Sequence, residues 1–530
     1  MFVPGNHSRT GVRDITLNIT MGIPCYFVSL IRKYPDIMRK LSESADDAYA
    51  FYLDSNSIVY DCLRRIDITQ CGGDVDGTVI DAVLEKLDEY IAEINPGGYT
   101  FIAFDGVAPL AKTTQQRERR YRTALERSVV GTGARGSWNT SKITPGTPFM
   151  ARLMQCIRDH YACEPSVILN GSEERGEGEQ KIFEHVRATD LSDKSVVIYG
   201  LDADLIMLGL LHTDRCGSLA LYRETPVFIR SVCSRLEPLG TYLLDIGYLG
   251  EYVAWAGGRG GSVSLRDYVF LCFLLGNDFL PHFPSLSLRD GDHDVVLRAL
   301  AELGQSKKGA TLDRLTNGCM VNWPNVRRVL EVLAKREETA MSQKESKRAR
   351  MATAKLRTKD DQSLEEARLE SVPTKNGAVE RFIAAGRDGW AERYYRSLVG
   401  VTRNSGMASA LVVEYLRGLE WTWTYYTAGC KNWQWKYPVS FPPLLVDVCR
   451  MVPAFAMELM ASSSARELMP DEQLLLVLPT VSAACVADEL RPALERKRDV
   501  VNHKWSFCRY FWEGAIEFRD DSPVRVERLR

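Results

Sequence analysis

Two pairs of carboxylates dominate the chemistry this chain can do. Asp202 and Asp204 follow the β-branched run Ser195-Val196-Val197-Ile198 and the glycine that ends it, Gly200; the apolar residues after Asp204 can start a helix. Both acids therefore belong at the carboxyl end of a buried strand, where open α/β sheets hold their ligands. Glu177 and Glu179 alternate with glycine in Gly176-Glu177-Gly178-Glu179, just before a helix-like stretch over residues 180–187. Carboxylates this close repel one another unless a cation or a proton joins them. Each pair alone also suits an acidic helix start favoured by the dipole, but the pattern recurs. The runs Ala50-Phe51-Tyr52-Leu53 and Tyr99-Thr100-Phe101-Ile102-Ala103-Phe104 end in Asp54 and Asp105, and the apolar residues 268–275 stop just short of Asp278. Carboxylate clusters without His or Cys suit a hard cation, Mg²⁺ or Mn²⁺, rather than Zn²⁺. Such a cluster can hold two metals about 4 Å apart for in-line displacement at phosphorus.

Residues 112–127, Lys-Thr-Thr-Gln-Gln-Arg-Glu-Arg-Arg-Tyr-Arg-Thr-Ala-Leu-Glu-Arg, supply the complement. In a helix, Lys112, Gln116, Arg119, Arg120 and Thr123 share one face. A cationic face with an amide and a hydroxyl matches a phosphate, with Arg offering paired donors. Such runs are usually solvated faces; this one begins seven residues after Asp105, which places it beside the acidic residues.

The elements that must position these groups alternate. Helix-like stretches over residues 28–41 and 80–94, the second broken by Asn95-Pro96-Gly97-Gly98, separate the strands. Alternation of this kind implies parallel βαβ units whose strand ends share one edge, bringing Asp54, Asp105, Asp202 and Asp204 together. Residues 335–370 are dense in Lys, Arg, Glu and Gln, and are expected to be a solvated helix or partly disordered insertion. Beyond them come the aromatic runs Trp421-Thr422-Trp423-Thr424-Tyr425-Tyr426 and Trp433-Gln434-Trp435-Lys436-Tyr437, core by default but able to stack bases.

With 530 residues, 45% hydrophobic and 26% charged, the chain has room for two or more globular domains. A net charge of −2 confines any polyanion site to a local patch. None of the thirteen cysteines forms a CxxC pair, which argues against a zinc ribbon or a redox dithiol and for reduced thiols. No apolar run is long enough to cross a membrane, and residues 1–20 lack the apolar segment of a secretory signal, so they read as an extension.

Taken together, these motifs resemble the Xrn/Rat-type 5′→3′ exoribonucleases. Met21-Gly22-Ile23-Pro24 resembles that family's N-terminus, Tyr52-Leu53-Asp54-Ser55-Asn56-Ser57 its first acidic motif, and Phe104-Asp105-Gly106-Val107-Ala108-Pro109 through Arg122 its phosphate-pocket motif. Ile143-Thr144-Pro145-Gly146-Thr147, the Glu177 and Asp202 motifs and Gly276-Asn277-Asp278-Phe279-Leu280-Pro281-His282 follow in family order; residues 418–437 and 471–479 resemble parts of the second conserved region. The resemblance implies a PIN-like, flap-nuclease-like α/β fold, a parallel sheet with helices on both faces, and a mainly helical second region. Domains are then expected at 1–20 (extension), 21–300 (nuclease), 301–386 (charged insertion) and 387–530 (second region). It implies Mg²⁺ or Mn²⁺ held by Asp54, Asp105, Glu177, Glu179, Asp202, Asp204 and Asp278. A 5′-phosphate pocket would be formed by Lys112, Gln116, Arg119 and Arg120, with base stacking by Tyr60 and Trp433 or Trp435. The implied substrate is 5′-monophosphorylated single-stranded RNA, and the implied place is inside the cell, with the cytoplasm preferred to the nucleus. Three positions depart from the family: Tyr60 and Gln180 stand where His is usual, and Leu110 where a basic residue is. The rival readings are a flap-type DNA nuclease and a non-catalytic RNA-binding scaffold.

Overall fold

The structure, a computed structural model, describes residues 26–41, 48–68, 71, 73–130, 138–255, 263–305, 315–356, 358 and 362–518. The expected extension at residues 1–20 and the Met21–Pro24 motif lie outside them. The chain divides into two compact units, each built from two stretches: Met1–Gly106 with Phe149–Tyr252, and Val107–Pro148 with Val253–Arg530.

The first unit is built on a seven-stranded sheet. Its strands are β1 (Met38–Lys40), β2 (Ala50–Asp54), β3 (Tyr99–Ala103), β4 (Val167–Asn170), β5 (Leu191–Tyr199), β6 (Cys216–Glu224) and β7 (Thr241–Asp245), in the order β1-β7-β6-β5-β2-β3-β4. Strands β4, β3, β2, β5 and β6 pair in parallel; β7 and β1 add antiparallel pairs at one side. The three strands expected from the sequence are thus the centre of a larger parallel-rich sheet. Residues 50–53 of β2 are fully buried, as an apolar run without alternation requires in a strand with neighbours on both sides. Its register pairs Asp54 with Ala103 and Leu53 with Tyr199, so β2, β3 and β5 end level with one another.

One helix differs from expectation. The stretch read as helical over residues 28–41 is a helix only over Tyr26–Lys33; Pro35–Ile37 forms a single tight turn and residues 38–40 pair with β7. Proline lacks the N–H a continuing helix needs and pushes the preceding residue out of helical geometry.

The second unit is mostly helical. The cationic stretch forms the helix Leu110–Val130, and the first aromatic run lies in the helix Gly406–Thr427, where Trp421 and Trp423 are buried core. The charged stretch expected to be solvated is docked by its first turns. In the helix Glu337–Ala352, Met341 joins a core with Ile383, Tyr394 and Leu398. The Glu337 carboxylate accepts hydrogen bonds from the Leu445 and Val446 N–H groups at 2.7 and 3.0 Å. Lys344 on Asp292 at 3.2 Å and Arg348 on the Pro373 carbonyl at 2.6 Å continue the docking, so a face held by charges and one methionine is concealed from any apolar count.

Candidate active site

In the first unit the acids gather by element at the carboxyl ends of the parallel strands. Asp54 is the last residue of β2. Asp105 lies two residues past β3 and is held on three sides. Its Oδ1 accepts from the Gly178 N–H at 2.8 Å, its Oδ2 from Asn56 Nδ2 at 2.8 Å, and its own N–H donates to Asn56 Oδ1 at 3.0 Å. Gly178 is packed closely: an added Cβ would lie 2.6 Å from Asp54 Oδ1, so any larger residue would make the Asp54 carboxylate shift. Glu177 and Asp202 are the N-cap residues of the helices Gly178–Ala188 and Ala203–Leu211, with Glu179 and Asp204 in the first turns. Glu177, Glu179 and Asp204 are buried, at 3%, 5% and 2% exposure.

Two cations that sequence reasoning did not single out support this edge. Lys181 Nζ donates to the carbonyls of Phe104 and Gly171 at 2.8 and 2.7 Å, tying the end of β3 to the residue after β4. Burial pushes it down to about 8, against the pull of Asp105 and Glu174. Arg223, on β6, donates to the Leu201 carbonyl at 2.6 Å and packs over the Phe27 ring at 3.9 Å. Burial lowers it to about 10, with Asp202 opposing that shift. The signal available in the sequence was a charged residue inside an apolar strand, Leu219-Ala220-Leu221-Tyr222-Arg223. Asn56 stood in a quoted motif, but its clamp on Asp105 requires two chain segments to meet.

Among the described residues no group of three or more His, Cys, Asp or Glu side chains is gathered tightly enough to hold a metal ion. The fit to a hard divalent cation is one of chemistry: the donors are carboxylate oxygens, and three of the six acids are buried. The buried Gln180 amide also finds no partner at Oε1 or Nε2 among the described residues, the mark of a site completed by something other than protein.

In the second unit, Lys112 is buried and paired with Asp278, Nζ to Oδ2 at 2.7 Å. Arg120 donates to the Thr140 and Ile143 carbonyls and to Thr144 Oγ1 at 2.8–3.1 Å, clamping the Ile143–Thr147 motif to the helix. Arg119 is half-buried and has no acceptor among the described residues, and Gln116 Oε1 is buried without a partner there. The opposite face of the helix is docked: Arg117 meets Asp499 at 2.9 Å, Tyr121 hydrogen-bonds the same carboxylate, and Arg122 donates to the Gly514 carbonyl at 2.6 Å.

The aromatic candidates separate by burial. Trp435 lies at 7% exposure against Trp421, its Nε1 on Glu414 at 3.2 Å, fitted over Gly418, where a Cβ would come within 2.7 Å of the indole. Trp433 is half-buried, and its carbonyl accepts from the Leu110 N–H at the helix start. Tyr60, in the helix Asn56–Arg65, is half-buried beside the buried Ile58, Val59 and Cys62.

Comparison with known proteins matches two successive regions of the chain to one family. Residues 21–224 match the model of the XRN 5′-3′ exonuclease N-terminus, and residues 263–385 and 366–492 that of the Xrn1 helical domain. The 5′-3′ exoribonuclease 2 homolog of Drosophila melanogaster is 27% identical over 606 residues, covering 88% of this chain and 65% of its own length. The 5′-3′ exoribonuclease 1 of Saccharomyces cerevisiae is 25% identical, covering 89% and 40%; that of Homo sapiens is 26% identical, covering 87% and 31%. The chain thus spans 31–65% of the length of these relatives. Among solved structures, the catalytic core of Rad2 in complex with DNA substrate shows a distant likeness, with 12% identity and a TM-score of 0.33 over 79% of this chain and 92% of that one. Since the two conserved regions match in order over most of its length, the chain belongs to the XRN family of 5′→3′ exonucleases.

Proposed function

We propose that the chain is a 5′→3′ exoribonuclease that hydrolyses single-stranded RNA from a 5′-monophosphate end to mononucleotides. The observation that carries this reading is the helix Leu110–Val130, which bears Lys112, Gln116, Arg119 and Arg120 while Arg119 has no protein acceptor among the described residues. A half-buried guanidinium without a protein acceptor is open to an incoming anion, and its planar fork matches phosphate oxygens. The names of the relatives, all exoribonucleases, support the substrate class.

Mg²⁺ or Mn²⁺, held by Asp54, Asp105, Glu177, Glu179, Asp202 and Asp204, would supply an activated water and charge stabilisation at the phosphodiester. The protein's own part is positional. Asn56 and the Gly178 N–H fix the Asp105 carboxylate, Lys181 joins the ends of two strands, and Arg223 fixes the peptide before Asp202. Arg119 and Lys112 bind the terminal phosphate, and Arg120 secures the loop beside them.

The test is to incubate the protein and Mg²⁺ with RNA labelled at its 3′ end and carrying either a 5′-monophosphate or a 5′-hydroxyl. Mononucleotide release from the monophosphate substrate, with the hydroxyl substrate much slower, is expected. Equal rates would displace the pocket; cleavage of DNA hairpins without a 5′-phosphate would favour a flap-type nuclease; binding without release would favour a scaffold.

A further inference from the structure

Lys112 and Asp278 arrive with opposite expected duties, the lysine for a phosphate and the aspartate for a metal, yet here each is the other's partner. They meet at 2.7 Å with side-chain exposures of 10% and 6%. The Asp278 carboxylate has little water to fall back on, so parting the pair without a replacement cation leaves that buried charge without its counter-charge. Arg119 differs, since it has no carboxylate partner among the described residues, and Arg120 donates to the Thr140 and Ile143 carbonyls and to Thr144 Oγ1.

We propose that the Asp278 carboxylate is an internal stand-in for the substrate's 5′-phosphate on Lys112, so that Lys112 engages the phosphate fully only once Asp278 has another cation. The inference rests on the phosphate-pocket reading above. Asp278 thereby becomes a specificity-determining residue: it sets how much of the pocket's positive charge a 5′-phosphate feels. A phosphate monoester entering while Asp278 still faces Lys112 brings up to two negative charges beside a third, and the single compact ammonium must be shared among them. A divalent cation on Asp278 relieves that crowding. Linkage then runs both ways: the factor by which the ion tightens the phosphate end is the factor by which the phosphate end tightens the ion.

The decisive measurement avoids hydrolysis. In EDTA, the affinities of a short 3′-fluorescent RNA with a 5′-phosphate and with a 5′-hydroxyl are compared by anisotropy, and their ratio is taken. Asp278→Asn should raise that ratio over the wild type by roughly fivefold or more, the lower end of ordinary coupling. Adding Lys112→Ala should return it. A ratio unchanged by Asp278→Asn, while Arg119→Ala lowers it, overturns the proposal and leaves the pocket standing. A ratio near one in the wild type, Asp278→Asn and Arg119→Ala alike overturns both the pocket and the proposal. Should Asp278→Asn melt below the assay temperature, the wild type serves with RNA carrying hydrolysis-resistant phosphorothioate linkages. The ratio should then rise when Mg²⁺ is added, and a ratio indifferent to Mg²⁺ rejects the coupling.

Discussion

Glu177 and Asp202 occupy the N-cap positions of their helices, and neither side chain makes the capping hydrogen bond. An acid at this position ordinarily accepts from an N–H one turn in, worth about 1 kcal/mol. Two such residues forgo the same bond, each is followed two positions later by a buried acid, and both belong to the metal-binding set proposed above. Asp202→Asn with Asp204→Asn should therefore abolish hydrolysis while leaving RNA binding within a few-fold of wild type, because phosphate contacts carry most of the affinity. Single-turnover release above a tenth of the wild-type rate would remove these residues from the reaction. Tyr60→Ala should slow turnover about tenfold, since a base stack is worth about 1–3 kcal/mol, with little change in melting temperature; a large thermal loss would make Tyr60 a packing residue. Asp54, Asp105, Asp202 and Asp204 could be singled out in the sequence because each follows a strand-like run. Asn56, Lys181 and Arg223 could not, because what distinguishes them is a partner 22 to 77 residues away within a sheet that has first to form.

The helix Leu110–Val130 was readable as a helix and as a cationic face, but its reverse was not readable at all. That side is docked by charges and aromatic rings: Asp499 serves Arg117, Tyr121 and Lys497 together, and Arg117 stacks at 3.6 Å on Phe518. A face built on ion pairs looks, in sequence, like a face built for water. These partners lie beyond residue 492, where the match to the family model stops. Asp499→Ala should leave Arg117 and Lys497 buried without their counter-charge and cost about 3–5 kcal/mol, as loss of one member of a buried ion pair does. Urea unfolding would show this as an earlier midpoint at an unchanged slope. An unaltered midpoint would mean that Asp499 does not hold the helix.

Across the whole molecule, one buried acid should make stability depend on pH. Burial, against two backbone N–H donors, lifts Glu337 from 4.5 to about 7. A carboxyl whose folded-state value is raised contributes stability that is complete below its unfolded value and is lost as pH rises through the folded one. The interval from 4.5 to about 7 is worth about 3 kcal/mol. The stability difference between wild type and Glu337→Gln should shrink by about that much across this window, measured by urea titration at several pH values; a constant difference would show that Glu337 does not titrate there. The two units also interleave along the chain, each made of two separated stretches. The helix Leu110–Val130 therefore waits for its partners during synthesis: Gln473 bonds the Ala108 N–H across 365 residues, Asp499 bonds Arg117 across 382, and Gly514 bonds Arg122 across 392. At about 5–20 residues per second on the ribosome, those partners emerge roughly 20–80 s after the helix does. For that interval its docking face, two arginines and a tyrosine later to be covered, is open to solvent, and the growing chain must be kept from settling on a passing polyanion.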